Sequence, residues 1–395
     1  MNYIIITNYF PPELGAAANR IYNLSSALNE TNNVSVICPL PNYPTGNIFK
    51  GYKYKLFKTE TLDGIKVYRN FIYPTTSKNF ILRGLGMLSF SVSIWVMLFR
   101  WRALKSVDLI IVQNSPLLVS LSSIILFRKV FKKKLVLNVS DIWPDSAKTL
   151  EVMSENSRMY KLFKKIEFFN YINSTAIVGQ SEEIIKHVSG YVDCPTFLYR
   201  NLQPLKSFNS SYSKFPNFRI VYAGLLGVAQ GLMEIISNVN FDKLNIKFDI
   251  YGDGNEKNQI VEYIESNGIK NVSYKGILTK VELDSTVPKY HFALVPLKRY
   301  IYGAIPSKIY ELASFGVPII YMGEGEAAAL INDYNLGYTI KPLDFHSLEK
   351  LLQEIVKIDD ESYDNLQNAC LKASVDNFSF ENQIKSFTEF INNEI

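Results

Sequence analysis

A chain of 395 residues with near-average hydrophobic content can bury two cores of ordinary domain size. Its three cysteines, Cys38, Cys194 and Cys370, are odd in number, far apart and without CxxC spacing, which excludes a disulfide framework and a zinc knuckle and fits a reducing cytosol. Charge is uneven. Residues 1–200 carry 24 Lys+Arg against 13 Asp+Glu, and residues 201–395 carry 18 against 24, so the basic half faces an anionic partner. Acidic lipid and pyrophosphate-linked molecules fit that charge better than nucleic acid, because zinc fingers, helix-turn-helix patterns and RNP-like aromatic pairs are absent from the sequence.

Tyr3 to Thr7 predicts a buried strand, too short and too lacking in basic residues at its start to be a signal peptide. The next residues, Asn8-Tyr9-Phe10-Pro11-Pro12-Glu13-Leu14-Gly15, form a loop that Gly15 allows to pass close to a ligand. A helix over Ala16 to Asn29 and a strand over Val34 to Cys38 complete the opening of a doubly wound sheet, in which ligands bind at the carboxyl ends of strands. GxGxxG is missing, so no dinucleotide fingerprint is present. Pro39 to Gly46 is a proline-stiffened loop on the same side of the sheet, with Asn42 and Tyr43 at its centre. Gly84 to Phe99 is uncharged, flanked by Arg83, Arg100 and Arg102, and too short to span a bilayer; it reads as a helix that either covers the sheet or lies on a membrane. Val107 to Val112 and Leu135 to Val139 predict further core strands. After the latter, Ser140-Asp141-Ile142-Trp143-Pro144-Asp145-Ser146 offers an aromatic face and a carboxylate suited to a sugar, against a core role for Trp143 and a capping role for Asp145. Lys161, Lys164 and Lys165 read as a solvated face.

Residues 202–217 have linker composition, and the second domain starts at Phe218. Arg219 to Ala223 is a strand whose exit, Gly224 to Gly231, presents backbone amides to a diphosphate near Gly227. Ile246 to Gly252 and Phe292 to Pro296 are further strands, and Phe380 to Ile391 has helical register. The stretch Ile305 to Tyr321 reads as loop, helix and buried strand: Pro306 blocks a helix from upstream, Ser307 is placed as N-cap, and Gly316 ends the helix. Lys308 opposes the helix dipole and points to an anion, while Glu311 shares its face, as a surface pair or as a site.

Pro306-Ser307-Lys308, Glu311 and Ala313 to Pro318 resemble the donor-nucleotide segment of retaining glycosyltransferases of family four, in the branch of N-acetyl-L-fucosamine transferases of O-antigen and capsule assembly. The resemblance extends over nearly the whole chain and implies the α/β GT-B fold: two Rossmann-like doubly wound domains facing a central cleft, with residues 1–201 binding acceptor, 218–377 binding nucleotide sugar, and 378–395 crossing back to the first domain. It implies that Glu311 holds the ribose, that Gly15 abuts donor phosphate, and that Gly276 and Ile277 contact the base. Ser307, Arg299 and Gly227 complete the donor set. Asp141 and Lys308 are the catalytic candidates, and Asn42, Tyr43 and Trp143 the acceptor candidates. The sequence departs from the family at Gly303, where a sugar-contacting glutamate is usual, and at Leu225 and Gln230, where a cationic clamp is usual.

The resulting expectation is retaining transfer from a UDP-sugar to a polyprenyl-pyrophosphate-linked saccharide, at the cytoplasmic face of the inner membrane. No cofactor is expected, and no metal, since Asp-x-Asp is absent and His187, His291 and His346 are scattered. A nucleotide-sugar epimerase of the same fold and a catalytically silent nucleotide-sugar-binding subunit stand as alternatives.

Overall fold

The computed structural model describes residues 1–13, 15–43, 45–75, 80–100, 106–204 and 213–395, without the side chains of residues 80, 81, 83 and 100. Leu14, Pro44, Arg102, residues 205–212 of the linker, and the side chains of Arg83 and Arg100 lie outside that description. The chain divides into two compact units. The first holds Met1–Asn201, Tyr302–Ala304 and Glu381–Ile395, and the second holds Leu202–Ile301 and Ile305–Phe380.

The first unit is built on Asn2–Ile6 (β1), Asn33–Pro39 (β2), Lys58–Leu62 (β3), Ile65–Asn70 (β4), Leu109–Gln113 (β5), Lys134–Val139 (β6), Ala176–Gly179 (β7) and Thr196–Leu198 (β8). They lie in the order β3-β4-β2-β1-β5-β6-β7-β8, parallel except for β3, which runs antiparallel at the edge. Strands such as β5, LIIVQ, are apolar throughout because helices cover both faces of a parallel sheet. On one face Ile21, Leu24 and Leu28 of the Ala16–Asn29 helix pack with Phe387 and Ile391 of the Phe380–Glu394 helix. On the other, Phe90, Ile94 and Met97 join the core. The hairpin of charged, Thr-containing β3 and mostly buried β4 has no counterpart in the sequence reading.

The second unit contains Arg219–Ala223 (β9), Lys247–Tyr251 (β10), Val272–Tyr274 (β11), Phe292–Pro296 (β12), Ile319–Met322 (β13) and Gly337–Ile340 (β14). Their order, β11-β10-β9-β12-β13-β14, is all parallel and reverses direction between β9 and β12, which makes the carboxyl end of that pair a topological switch point. Part of the predicted linker belongs to this unit: Phe215 N–H donates to Lys289 O at 3.0 Å and its ring lies 4.9 Å from that of Tyr290.

Candidate functional site

At the carboxyl ends of β9, β10 and β11 the backbone is stitched to itself. Gly224 N–H donates to Tyr251 O at 2.9 Å, Leu226 N–H to Asp253 O at 2.8 Å, and Gly252 N–H to Gly276 O at 2.8 Å. Such close approach requires glycine: a Cβ on Gly252 would collide with Gly224 O, and one on Gly254 with Leu226 O. The Gly252-Asp253-Gly254 turn is therefore part of the construction of the loop after β9. Of the amides predicted to meet a diphosphate, Leu226 is already used, whereas Leu225 and Gly227 have no intramolecular acceptor among the described residues. The loop leads into a 3₁₀ turn, Val228–Gln230, before the helix Leu232–Asn238. Lys298, unnoticed in the sequence, pins this turn through Lys298 N–H to Ala229 O, 2.8 Å, and an ion pair to Glu234.

Lys308 opens the helix Lys308–Ser314, and its ammonium lies 4.1 Å from the centre of the Tyr222 ring and against Gly224, where a Cβ would overlap it. Among the described residues it has no hydrogen bond and no ion pair. Burial pulls its pKa down to about 8, against a smaller opposing pull from Glu311. A partly buried ammonium without a counter-ion beside a glycine turn raises the local positive potential there. Ser307 stands at the N-cap position, but its side chain makes no capping bond, because its backbone is already helical at φ −59°, ψ −19°. Glu311 does not pair with Lys308 despite the i,i+3 spacing; its carboxylate is held by Lys280. Gly276 sits at φ +93° with open space where a side chain would be, and Ile277 is exposed. Arg299 is also exposed, on the loop after β12.

The loops of the first unit are held by buried charged side chains instead. Glu13, 1% exposed, accepts Asn42 N–H and Tyr43 N–H at 2.8 Å each on one oxygen and Phe10 N–H at 3.3 Å on the other. It ties the loop after β1 to the loop after β2, and its pKa is raised by burial, which outweighs these bonds. Arg69, also 1% exposed, braces the same loops through Pro11 O, Cys38 Sγ at 3.2 Å and Glu60 at 2.8 Å. Gly15 caps the Ala16–Asn29 helix at φ 136°, ψ 165°, with Tyr43 as its neighbour and Tyr9 edge-on to Tyr43 at 5.0 Å. Arg20 is 2% exposed; Nη1 donates to Gln180 Oε1 at 3.1 Å, while Nε and Nη2 have no partner among the described residues. Gln180 in turn donates to Ser140 O, beside Asp141. Asp141 accepts from Ser146 Oγ at 2.6 Å, and burial raises its pKa.

Trp143 packs edge-on to Phe163, 6.5 Å between centroids, and stays partly exposed. Asp145 does not cap; it opens the helix Asp145–Thr149 and its carboxylate takes Tyr160 OH and the Lys164 ammonium, the latter at 3.1 Å. Lys164 also pairs with buried Glu167, so it is removed from the predicted solvated face, on which Lys161 and Lys165 remain. His187 joins this group at 3.1 Å from Glu167 Oε1, and Asp145, Glu167 and His187 place ligand atoms within 4.8 Å of one another around a position that Lys164 already serves. Gly303 belongs to the first unit. Its N–H donates to Glu183 at 2.6 Å, its carbonyl accepts from Ser181 Oγ at 2.9 Å, and at φ +82° a Cβ would lie 2.7 Å from Ile184 Cγ1. A glutamate has no room at that position.

Residues 211–372 match the family Glycosyl transferases group 1. Over 307 residues, 73% of this chain and 76% of the relative, the sequence is 24% identical to a probable glycosyltransferase, WbjE, of Pseudomonas aeruginosa. Among solved structures, sucrose-phosphate synthase from Thermosynechococcus elongatus superposes with a TM-score of 0.75 at 13% identity, over 99% of this chain and 98% of that one. Anabaena Alr3699/HepE, solved in complex with UDP, superposes with a TM-score of 0.71 at 13% identity, over 99% and 100%. A doubly wound pair of units, a glycine-built switch point and a glycosyl transferase segment that spans it make this chain a glycosyltransferase of the GT-B fold.

Proposed function

We propose that the chain transfers a sugar, with retention, from a UDP-sugar to a lipid-linked saccharide in the assembly of a bacterial surface polysaccharide, as a family four enzyme of the branch that handles N-acetylated deoxyhexosamines such as N-acetyl-L-fucosamine. The observation that carries the reading is the Lys308 ammonium, partly buried against Gly224 without a counter-ion among the described residues and one helical turn from Glu311. A nucleoside diphosphate satisfies both: the diphosphate supplies the missing anion, and the ribose hydroxyls donate to the carboxylate. That HepE was solved with UDP supports the choice of nucleotide.

In this reading the amides of Leu225 and Gly227 and the Lys308 ammonium take the place of the family's cationic clamp. They stabilise the charge that grows on the leaving diphosphate, which itself helps to deprotonate the acceptor on the same face. No metal is assigned to the diphosphate. Asn42, Tyr43, Trp143 and Asp141 remain the acceptor-side candidates, held in place by Glu13 and by Ser146.

Docking of the first unit on an anionic membrane surface at the cytoplasmic face rests on its charge and on one exposed strip. The predicted helix is α-helical over Phe80–Ser93 and 3₁₀ over Ile94–Arg100; it covers the sheet with Phe90, Ile94 and Met97 and exposes Leu85, Leu88, Val92 and Phe99, the last at 89%. Among the described residues no helix is long and apolar enough to cross a membrane. Thermal shift with a panel of nucleotides tests the donor reading. UDP and UDP-sugars are expected to raise Tm in the wild type and not in Lys308→Met, and equal stabilisation of both proteins contradicts it.

A further inference from the structure

Glu311 lies three residues after Lys308 on one helical face, the spacing at which opposite charges ordinarily meet. They do not meet, because the Lys280 ammonium holds Glu311 Oε1 and at the same time pairs with Asp284 at 3.1 Å. Lys280 is the first residue of the helix Lys280–Thr286, whose start is fixed by a reciprocal capping box between Thr279 and Glu282. That helix follows directly on Gly276 to Leu278, the segment assigned to the base, and the Lys280 ammonium lies 5.6 Å from the centre of the Phe315 ring. Lys280 is thus anchored at its backbone by the capped helix start and at its ammonium by a second carboxylate and the Phe315 ring, while Glu311 Oε2 has no partner among the described residues.

From this geometry we propose that Lys280 is a positioning residue that sets ribose recognition: it fixes Glu311 by one oxygen, leaves the other for the ribose hydroxyls, and keeps the carboxylate off Lys308 so that the ammonium stays available to the diphosphate. The proposal rests on the nucleotide reading of Glu311 and Lys308 given above. Without Lys280, Lys308 remains as the cation three residues away on the same helix, close enough for Glu311 to act on its charge, and a pair between them neutralises both recognition elements together.

Calorimetric titration of UDP and of 2′,3′-dideoxy-UDP into wild type, Lys280→Met, Lys280→Arg and Glu311→Ala tests it. Wild type is expected to prefer UDP by about tenfold or more, the worth of hydrogen bonds to a carboxylate. Lys280→Met is expected to lose about tenfold in UDP affinity and to bind the two nucleotides within about threefold of each other, while Lys280→Arg keeps the preference. Lys280 is half exposed, and Lys280→Gln provides a second neutral variant should the methionine protein be unstable. An unchanged UDP preference in Lys280→Met overturns the proposal, whether affinity is intact or falls equally for both nucleotides as a simple loss of positive charge. If Glu311→Ala also keeps the preference, the ribose reading of Glu311 falls; if Glu311→Ala loses it and Lys280→Met does not, only the role of Lys280 falls.

Discussion

The two units place loops at the same end of the same kind of sheet, and they hold them in opposite ways. In the second unit the loops after β9, β10 and β11 are joined backbone to backbone, with glycines where chains touch, and the partly buried Lys308 ammonium beside them has no counter-ion among the described residues. In the first unit the loops after β1 and β2 are held by Glu13 and Arg69, whose charges are spent on backbone amides, a carbonyl and Glu60. In the proposed reading, the glycine frame around Lys308 serves a ligand that is always the same, a nucleoside diphosphate. The first unit's frame is instead made of side chains, and the same reading assigns it the acceptor.

Breaking the second unit's cation has the largest expected effect. Lys308→Met should lower kcat by about 10²- to 10³-fold, as loss of one preorganised group that stabilises a developing charge does. The same variant should be more stable than wild type at pH 7. The folded pKa of about 8 lies below the ordinary lysine value, so between pH 8 and the unfolded value the unfolded chain binds more protons, and wild-type stability rises with pH through that window. Thermal melts of both proteins from pH 7 to 10 check this, with the gap closing toward high pH. Glu311→Ala comes next, with a loss of about 10- to 150-fold in kcat/KM from removal of charged hydrogen bonds of about 1.5–3 kcal/mol.

Glu13→Gln sharpens the comparison from the other side. Replacing a buried acceptor of three N–H groups should cost about 1.5–3 kcal/mol in stability and raise KM for acceptor, while UDP affinity stays within about twofold. A matching loss of UDP affinity would mean that the division of labour between the units is wrong. The smallest effect concerns the membrane. Trp95 donates to Ser122 Oγ at 2.9 Å and packs on the core, so Val92 and Phe99 are the positions to change. Val92→Ser with Phe99→Ser should weaken flotation on anionic vesicles by about an order of magnitude without altering turnover of a soluble acceptor, since each removed side chain forfeits about 1 kcal/mol or more of burial.

What was legible in the sequence follows the same division. Strands β1, β2, β5, β6, β9, β10, β12 and β13 stood out as short apolar runs, whereas β11 and β14 went unread, and Pro306 and Gly316 marked the bounds of the helix after β12 because backbone geometry restricts which residues serve there. β3 was invisible because an edge strand needs no apolar run, and β4 because Lys66, Arg69 and Asn70 interrupt its buried Ile65, Val67 and Tyr68. Glu13, Arg20, Arg69, Lys280 and Lys298 were passed over for a related reason: each acts through a partner 29 or more residues away, and no local pattern marks such a pair. Lys164, on an apparently solvated face, was misjudged because its second carboxylate partner, Asp145, is brought near only by the fold; the Ile184 side chain that fills the space at Gly303 was likewise out of reach of the sequence.

The central claim is that Lys308 is the cation of the diphosphate site, and the pH dependence of UDP affinity tests it most directly. If the free ammonium titrates near pH 8, wild-type affinity should fall by roughly tenfold between pH 7.2 and 9 as the fraction protonated declines, while Lys308→Met binds weakly and without that dependence. An affinity that is flat over this range in wild type, or that falls equally in Lys308→Met, would contradict the account.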